Sequence, residues 1–278
     1  ISSAIEAGDI DVGIAGGVED MFTIPQGGFA PDFNVKLAEQ DYYISMGEGA
    51  ELLADELNIS REDQEEFSFS SHDKAVAARE EGRFDNEIVP ITLEDGTIID
   101  KDSGPRNPDK DKIKSLNPAF RADGTVTAAT SSPFSIGASA MLITSEKFAN
   151  DNGLKIRAYI EGRAVAGVNW KMFGSGPIPA TEKALEKTGL SMDNIDVIEL
   201  NEAFAAQALY CIKKANWDIN KVNLNGGAVA LGHPLGISGT RIITTLLNVL
   251  EQQDKSMGLA TMCVGTGQGI TTIIKRDK

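Results

Sequence analysis

With 278 residues, 41% of them hydrophobic and 24% charged, the chain has the composition of an ordinary globular protein, enough for one large domain or two of usual size. A formal net charge of −15 excludes nucleic acid or an anionic membrane as the main partner, since those surfaces need clustered Lys and Arg; a small anion held by a few local cations remains compatible. No long apolar run or signal-type leader is visible, and Cys211 and Cys263 lack C-x-x-C spacing, so reduced thiols and a cytoplasmic location are expected.

The chain opens on ISSAIEAGD, the end of a helix, followed by DVGIAGG, an apolar run that closes in glycines as buried strands do before functional turns. Residues 22–135 are more polar. Within them Met46–Leu57 reads as a helix, and Ser60, with Asp63 three positions on, opens a second by N-cap spacing. LEDGTIIDKDSGPRNPDKDK reads as turns around a hairpin. From Gly137 onward strand and helix patterns alternate. ASAMLIT is a strand, SEKFANDNG a short helix, KIRAYIEGRAVAGV a strand and PIPATEKALEKTG a helix ended by Gly189. IDVIEL is a strand, EAFAAQALYCIKKA a helix, KVNLN a short strand, ISGTRIITTLLNVLEQQ a helix, and GLATMCV and GITTIIKR are strands. This succession predicts a layered α/β fold with helices covering a sheet.

Three chemically active groups fall just past expected strands: Asn201 with Glu202 after IDVIEL, His233 in the glycine-rich stretch after KVNLN, and Cys263 at the end of GLATM. Strand ends in open α/β sheets converge on one crevice, so these groups can meet there. A thiol acts as nucleophile or proton carrier, an imidazole exchanges protons near neutrality or steadies an oxyanion, and an Asn amide holds a water or an oxygen. Each also has a plainer reading: Cys263 as a buried strand cysteine, His233 as an ordinary loop histidine. Cys211, at helical spacing with Phe204 and Ala208, reads as a core thiol. His72, among charged residues, reads as part of a solvated helix face. Neither GGAVALG nor GTGQG has nucleotide-cradling spacing, and two scattered histidines and cysteines do not make a metal site.

NEAFA at 201, NGGAVALGHPLGISGTR at 225 and MCVGTGQG at 262 closely resemble the signature motifs of thiolases, the acyl-CoA C-acyltransferases. AGGVEDM, MGEGAE, SREDQEEFSFSSHDKA, GRFDNEIVP, NPAFRADGTVTAATSSP and GSGPIPATEKAL follow in thiolase order, so the likeness spans essentially the whole chain. The resemblance implies a thiolase-like layered αβαβα architecture with an inserted loop domain and an incomplete N-terminal domain. Residues 1–22 would end the N-terminal domain, 23–135 form the CoA-binding loop domain, 136–155 return to the N-terminal domain and 156–278 form the C-terminal domain. It further implies that Cys263 carries a proton to and from acetyl-CoA, that His233 activates a nucleophilic cysteine and helps form an oxyanion hole, that Asn201 holds a water completing it, and that the Gly265 N–H serves a second hole. Met46, Arg106, Phe120, Ala128, Ser132 and Phe204 would line the acyl and CoA sites, with Arg121, Lys112 and Lys114 as further phosphate partners.

By the same resemblance, CoA thioesters are substrates, no separate cofactor or metal is used, and the chain forms a homodimer or homotetramer. The acylated cysteine of thiolases would lie roughly seven residues before Ile1, and roughly the first hundred residues of a whole thiolase would be missing. The chain alone is therefore expected to be inactive. Condensation of two acetyl-CoA to acetoacetyl-CoA is the first reading, and degradative 3-ketoacyl-CoA cleavage is its close alternative. A non-catalytic acyl-CoA-binding protein is a reading of another class, disfavoured by the intact Asn201, His233 and Cys263. A ketoacyl synthase would need a second active-site histidine, for which only His72 is available. Several positions depart from the thiolase pattern: Ser45 replaces a common His, Thr130 an Asn, Ile136 an Asp and Phe173 a Met. They bear on chain-length preference and leave Asn201, His233 and Cys263 untouched.

Overall fold

The computed structural model describes residues 1–23 and 32–277. Part of the expected 23–135 unit, residues 24–31, therefore lies outside the described residues. Helix α1 (Ser2–Ala7) leads into β1 (Val12–Asp20), which pairs antiparallel along its whole length with β4 (Ile136–Thr144). Everything between them leaves from one strand and returns to the other: α2 (Val35–Ala38), α3 (Met46–Leu57), α4 (Arg61–Glu80), the β2 (Ile91–Thr92) and β3 (Ile98–Ile99) hairpin, and α5 (Lys110–Lys114). Local chemistry sets the helix starts. Ser45 closes a capping box with Glu48 on α3, and the Ser60 hydroxyl accepts from Asp63 N at 3.0 Å on α4. The Ser at 45 therefore has a structural use as an N-cap.

After α6 (Glu146–Asp151) come β5 (Tyr159–Gly167), α7 (Pro177–Thr188), β6 (Val197–Leu200), α8 (Ala205–Lys214), α9 (Ala228–Leu231), α10 (Ser238–Gln252), β7 (Met257–Val264) and β8 (Gln268–Lys275). The four strands lie in the order β5-β8-β7-β6, with β6 and β7 parallel and the other pairs antiparallel. The expected strand at KVNLN does not form. A 3-10 turn occupies Ile219–Lys221, and Val222 makes a lone bridge to Ile198. Asn223 stands at φ +48 and turns the chain away before a ladder can extend.

Side chains alternate across β6, β7 and β8, so this sheet is covered on both faces. Val197, Ala260 and Ile274 meet Ile242, Leu246, Val249 and Leu250 of α10. Ile198, Leu200, Leu259 and Ile273 meet Ala184, Leu185, Ala208 and Ile212 of α7 and α8. Helix α10 also contacts β1 and β4, so it lies as a shared layer between the two sheets. A mixed sheet covered by helical layers is the α/β class expected from the alternation of patterns.

Candidate active site

The parallel register Leu200↔Thr261 brings the end of β6 beside the end of β7. Asn201 N donates to Thr261 O at 3.0 Å, and the parallel register sets Asn201 level with Met262, one position before Cys263 on the neighbouring strand. The Asn201 side chain is completely enclosed, yet neither its Oδ1 nor its Nδ2 has a protein partner. An enclosed amide with both ends free is suited to holding a small polar group. Cys263 packs with Ala50, Leu53, Phe173 and Phe204, and burial pushes its thiol up to about 12.

His233 follows α9, whose C-cap is Gly232. Its Nδ1 lies 2.6 Å from Ser238 Oγ, and that hydroxyl donates to Pro234 O at 2.9 Å. With its proton committed, Ser238 accepts from Nδ1–H, which leaves Nε2 as the free basic nitrogen. Burial, assisted by the Arg241 charge, brings the His233 imidazole down to about 4, so it rests neutral at physiological pH. The loop is seated on β1: Gly236 N donates to Glu19 Oε2 at 3.1 Å, and a Cβ at Gly17 would stand 1.8 Å from Gly236 O.

Phe120 and Phe204 meet edge to face with centroids 5.7 Å apart. Ser132 N donates to Ala203 O at 3.0 Å, and Ser131 bridges Phe204, which ties the 127–132 segment to the stretch after Asn201. Ala128 is exposed at the start of a 3-10 turn. Met46 opens α3, and its sulfur lies 3.7 Å from where a Gly265 Cβ would stand; Gly265 is itself exposed. Arg106 is exposed and donates to Gly104 O at 3.1 Å; it faces His72, and no described contact joins it to the Phe120–Phe204 group. Arg121 is already engaged by Asp55 at 2.8 and 3.0 Å. At the departures from the thiolase pattern, Thr130 is buried and satisfied by Thr127, and Phe173 is core, whereas Ile136 is exposed.

Two expectations about the remaining reactive side chains differ in outcome. Cys211 is a core thiol with no exposure, its Sγ–H donating to Gly174 O at 3.2 Å. His72 is not on a solvated face. Only 4% of it is exposed, and burial lowers its pKa to about 4. Charged neighbours in sequence do not show which way a mid-helix side chain points. Ser238 and Glu202 stand behind the site without having been singled out for a role. Their partners are visible only in three dimensions, although Glu202 adjoins Asn201 in the motif.

The comparisons fit this geometry. The thiolase N-terminal domain model matches residues 1–147 and the thiolase C-terminal domain model residues 154–276. The chain is 50% identical over 285 residues to the 3-ketoacyl-CoA thiolase of Vibrio vulnificus strain CMCP6, covering 98% of this chain and 73% of that protein. It superposes on the dimeric peroxisomal thiolase of Saccharomyces cerevisiae with a TM-score of 0.92 at 41% identity, covering 99% of this chain and 72% of the other. It also superposes on human mitochondrial 3-ketoacyl-CoA thiolase in complex with CoA, with a TM-score of 0.90 at 34% identity over 99% and 73% of the two chains. Two consecutive domain models, a relative at half identity and shared folds along almost every residue agree with the motifs around Asn201, His233 and Cys263: the chain belongs to the thiolase family.

Proposed function

We propose that the chain supplies the proton-transfer and oxyanion-binding half of an acyl-CoA C-acyltransferase that cleaves 3-ketoacyl-CoA with CoA and, in reverse, condenses two acetyl-CoA to acetoacetyl-CoA. The observation that carries the reading is the enclosed, unpartnered Asn201 amide beside the strand that bears the Cys263 thiol. The resemblance to thiolases by itself put condensation first; the 50% identity to a Vibrio 3-ketoacyl-CoA thiolase supports cleavage as the principal direction.

In cleavage, His233 Nε2 takes the proton of a nucleophilic cysteine, and the resulting thiolate attacks the 3-keto carbon. The carbon–carbon bond breaks with its electron pair on the acetyl-CoA carbon, and Cys263 Sγ–H protonates that carbon. Burial keeps Cys263 in the protonated state this step requires. CoA then attacks the acyl-cysteine thioester and leaves as the shortened acyl-CoA; its thiol proton passes to the Cys263 thiolate, and the His233 imidazolium returns its proton to the departing cysteine thiolate. The imidazolium Nε2–H and the Asn201 amide, through a water, receive the developing charge on the thioester oxygen, and Gly265 N–H serves the acyl-enzyme. Phe120, Phe204, Met46, Ala128 and Ser132 take the pantetheine and acyl portions, with Arg106 toward the phosphates.

In this reading neither cysteine of the chain is the acylated one: both are free and buried, Cys211 sits in the core, and Cys263 serves as proton carrier. By the same reading the 278 residues by themselves bind CoA thioesters without turning them over, and turnover needs a cysteine nucleophile supplied to them. Thiolysis assays across short and long 3-ketoacyl chains, with mass spectrometry for an acyl adduct, test this. Normal turnover or acylation of Cys263 in the isolated chain would sink the assignment. A homodimer, by likeness to the yeast enzyme, is the proposed assembly, and light scattering reads it directly.

A further inference from the structure

Glu202 adjoins Asn201, and no step above uses it. Its side chain is 1% exposed, and three donors from three separate segments converge on it. Ser71 Oγ–H of α4 donates at 2.7 Å, Asn223 Nδ2 at 2.7 Å and Val229 N of α9 at 3.1 Å. The network extends one step further in two directions. Ser71 Oγ accepts from Gly227 N at 3.1 Å, just before α9, and Asn223 also pairs with Leu200 N and O at 2.8 Å, at the end of β6. A Cβ at Gly227 would stand 2.1 Å from the Glu202 carboxyl carbon, so only glycine lets the 225–228 turn close on the carboxylate. Burial raises the Glu202 pKa, while the bonds from Asn223, Ser71 and Val229 and the Lys74 charge oppose that rise.

The consequence is positional. The residue before Glu202 is Asn201, and the helix whose start it holds ends at Gly232, beside His233. One carboxylate thus holds the two oxyanion-hole residues in register while α4 braces it from behind. We propose that Glu202 is a positioning residue that sets the His233 loop relative to Asn201 through Ser71, Asn223 and Val229, without touching substrate. The proposal rests on the acyl-transfer reading of Asn201 and His233.

The chain has two histidines, so 15N-histidine labelling of the full 278 residues reports the tautomer and titration of His233 directly. Three variants are compared with the parent: Glu202→Gln, which turns an amide toward donors; Ser71→Ala, which removes one donor from α4; and Thr181→Val. The last breaks the distant buried Thr181–Thr271 hydroxyl pair and controls for general loss of stability. Glu202→Gln and Ser71→Ala are expected to shift the His233 imidazole signals and speed amide exchange at 227–231 about tenfold, the weight of one lost charge-assisted hydrogen bond. Thr181→Val leaves His233 unmoved. His233 signals and exchange identical to the parent in both site variants would overturn the proposal; if Glu202→Gln does not fold, Ser71→Ala decides. A CoA titration reads the function separately. A parent chain that binds no CoA defeats the acyl-transfer reading and with it this role, whereas bound CoA with an unmoved His233 defeats the clamp alone.

Discussion

His233 shows how one hydrogen bond sets a chemical role. Ser238 has no exposure, so no solvent competes for its contact with Nδ1, and the basic nitrogen is left at Nε2. Replacing Ser238 by Ala frees the tautomer and is expected to lower kcat of the nucleophile-supplied enzyme about tenfold or more, a loss of the order of one hydrogen bond. The ring should also show mixed tautomers by nitrogen NMR; an unchanged Nδ1–H tautomer counts against the assignment. Cys263→Ala removes the proposed proton carrier and should cost about 10²–10⁴-fold in turnover while CoA binding persists; retained turnover would move proton transfer to another group. His233 and Cys263 could be nominated from the sequence because residue type and motif single them out. Ser238, Glu202 and the burial of His72 were not, because the Ser71–Glu202 bond alone joins residues 131 positions apart.

At the scale of elements, the His233 loop depends on β1 and α10 together. Gly17 lies against the Gly236 carbonyl, so Gly17→Ala forces backbone apart at the loop, with an expected loss of about 1–3 kcal/mol by denaturant unfolding. A substitution within error of the parent would show that the loop yields freely. One face of α10 carries Ser238, Arg241, Thr245 and Asn248, which links the histidine to the loop region through Glu87; Asn248 Nδ2 donates to that carboxylate at 3.0 Å and Thr245 Oγ1 at 3.5 Å. Burial lifts Glu87 to about 7, against the Arg241 charge and with Asp102 and Glu199 also facing it. The unfolded chain releases that proton near 4.5 and the folded chain holds it, so Glu87 makes stability fall as pH rises from about 4.5 to 7. Glu87→Gln should flatten that limb in melts across the range, and an unaltered pH profile would place the titration elsewhere. Helices and strands with clear periodicity were legible at this scale. KVNLN failed because its alternation resembles a strand, while the positive φ at Asn223 is spent on bonding Leu200 and Glu202.

For the whole molecule, the two histidines act in the opposite sense to Glu87. Both are brought from 6.5 to about 4 by burial, so the unfolded chain takes up protons first, and stability is lost as pH falls between those values. The net charge of −15 adds a diffuse self-repulsion that salt screens, with a Debye length of about 10 Å at 0.1 M. Raising NaCl from low to moderate concentration should therefore raise Tm, and a flat or falling Tm would show that local ion pairs such as Arg157–Glu251 outweigh the repulsion. Local pattern and motif were enough to determine the α/β class, most element positions and the family, and to nominate Asn201, His233 and Cys263, because periodicity, caps and reactive residue types are written within short windows. Which faces pack, which histidine is enclosed, which tautomer His233 holds and which carboxylate joins its loop to Asn201 were decided only by tertiary structure. Those depend on strand register and on contacts between segments distant in sequence, where burial and hydrogen-bond geometry set protonation and position.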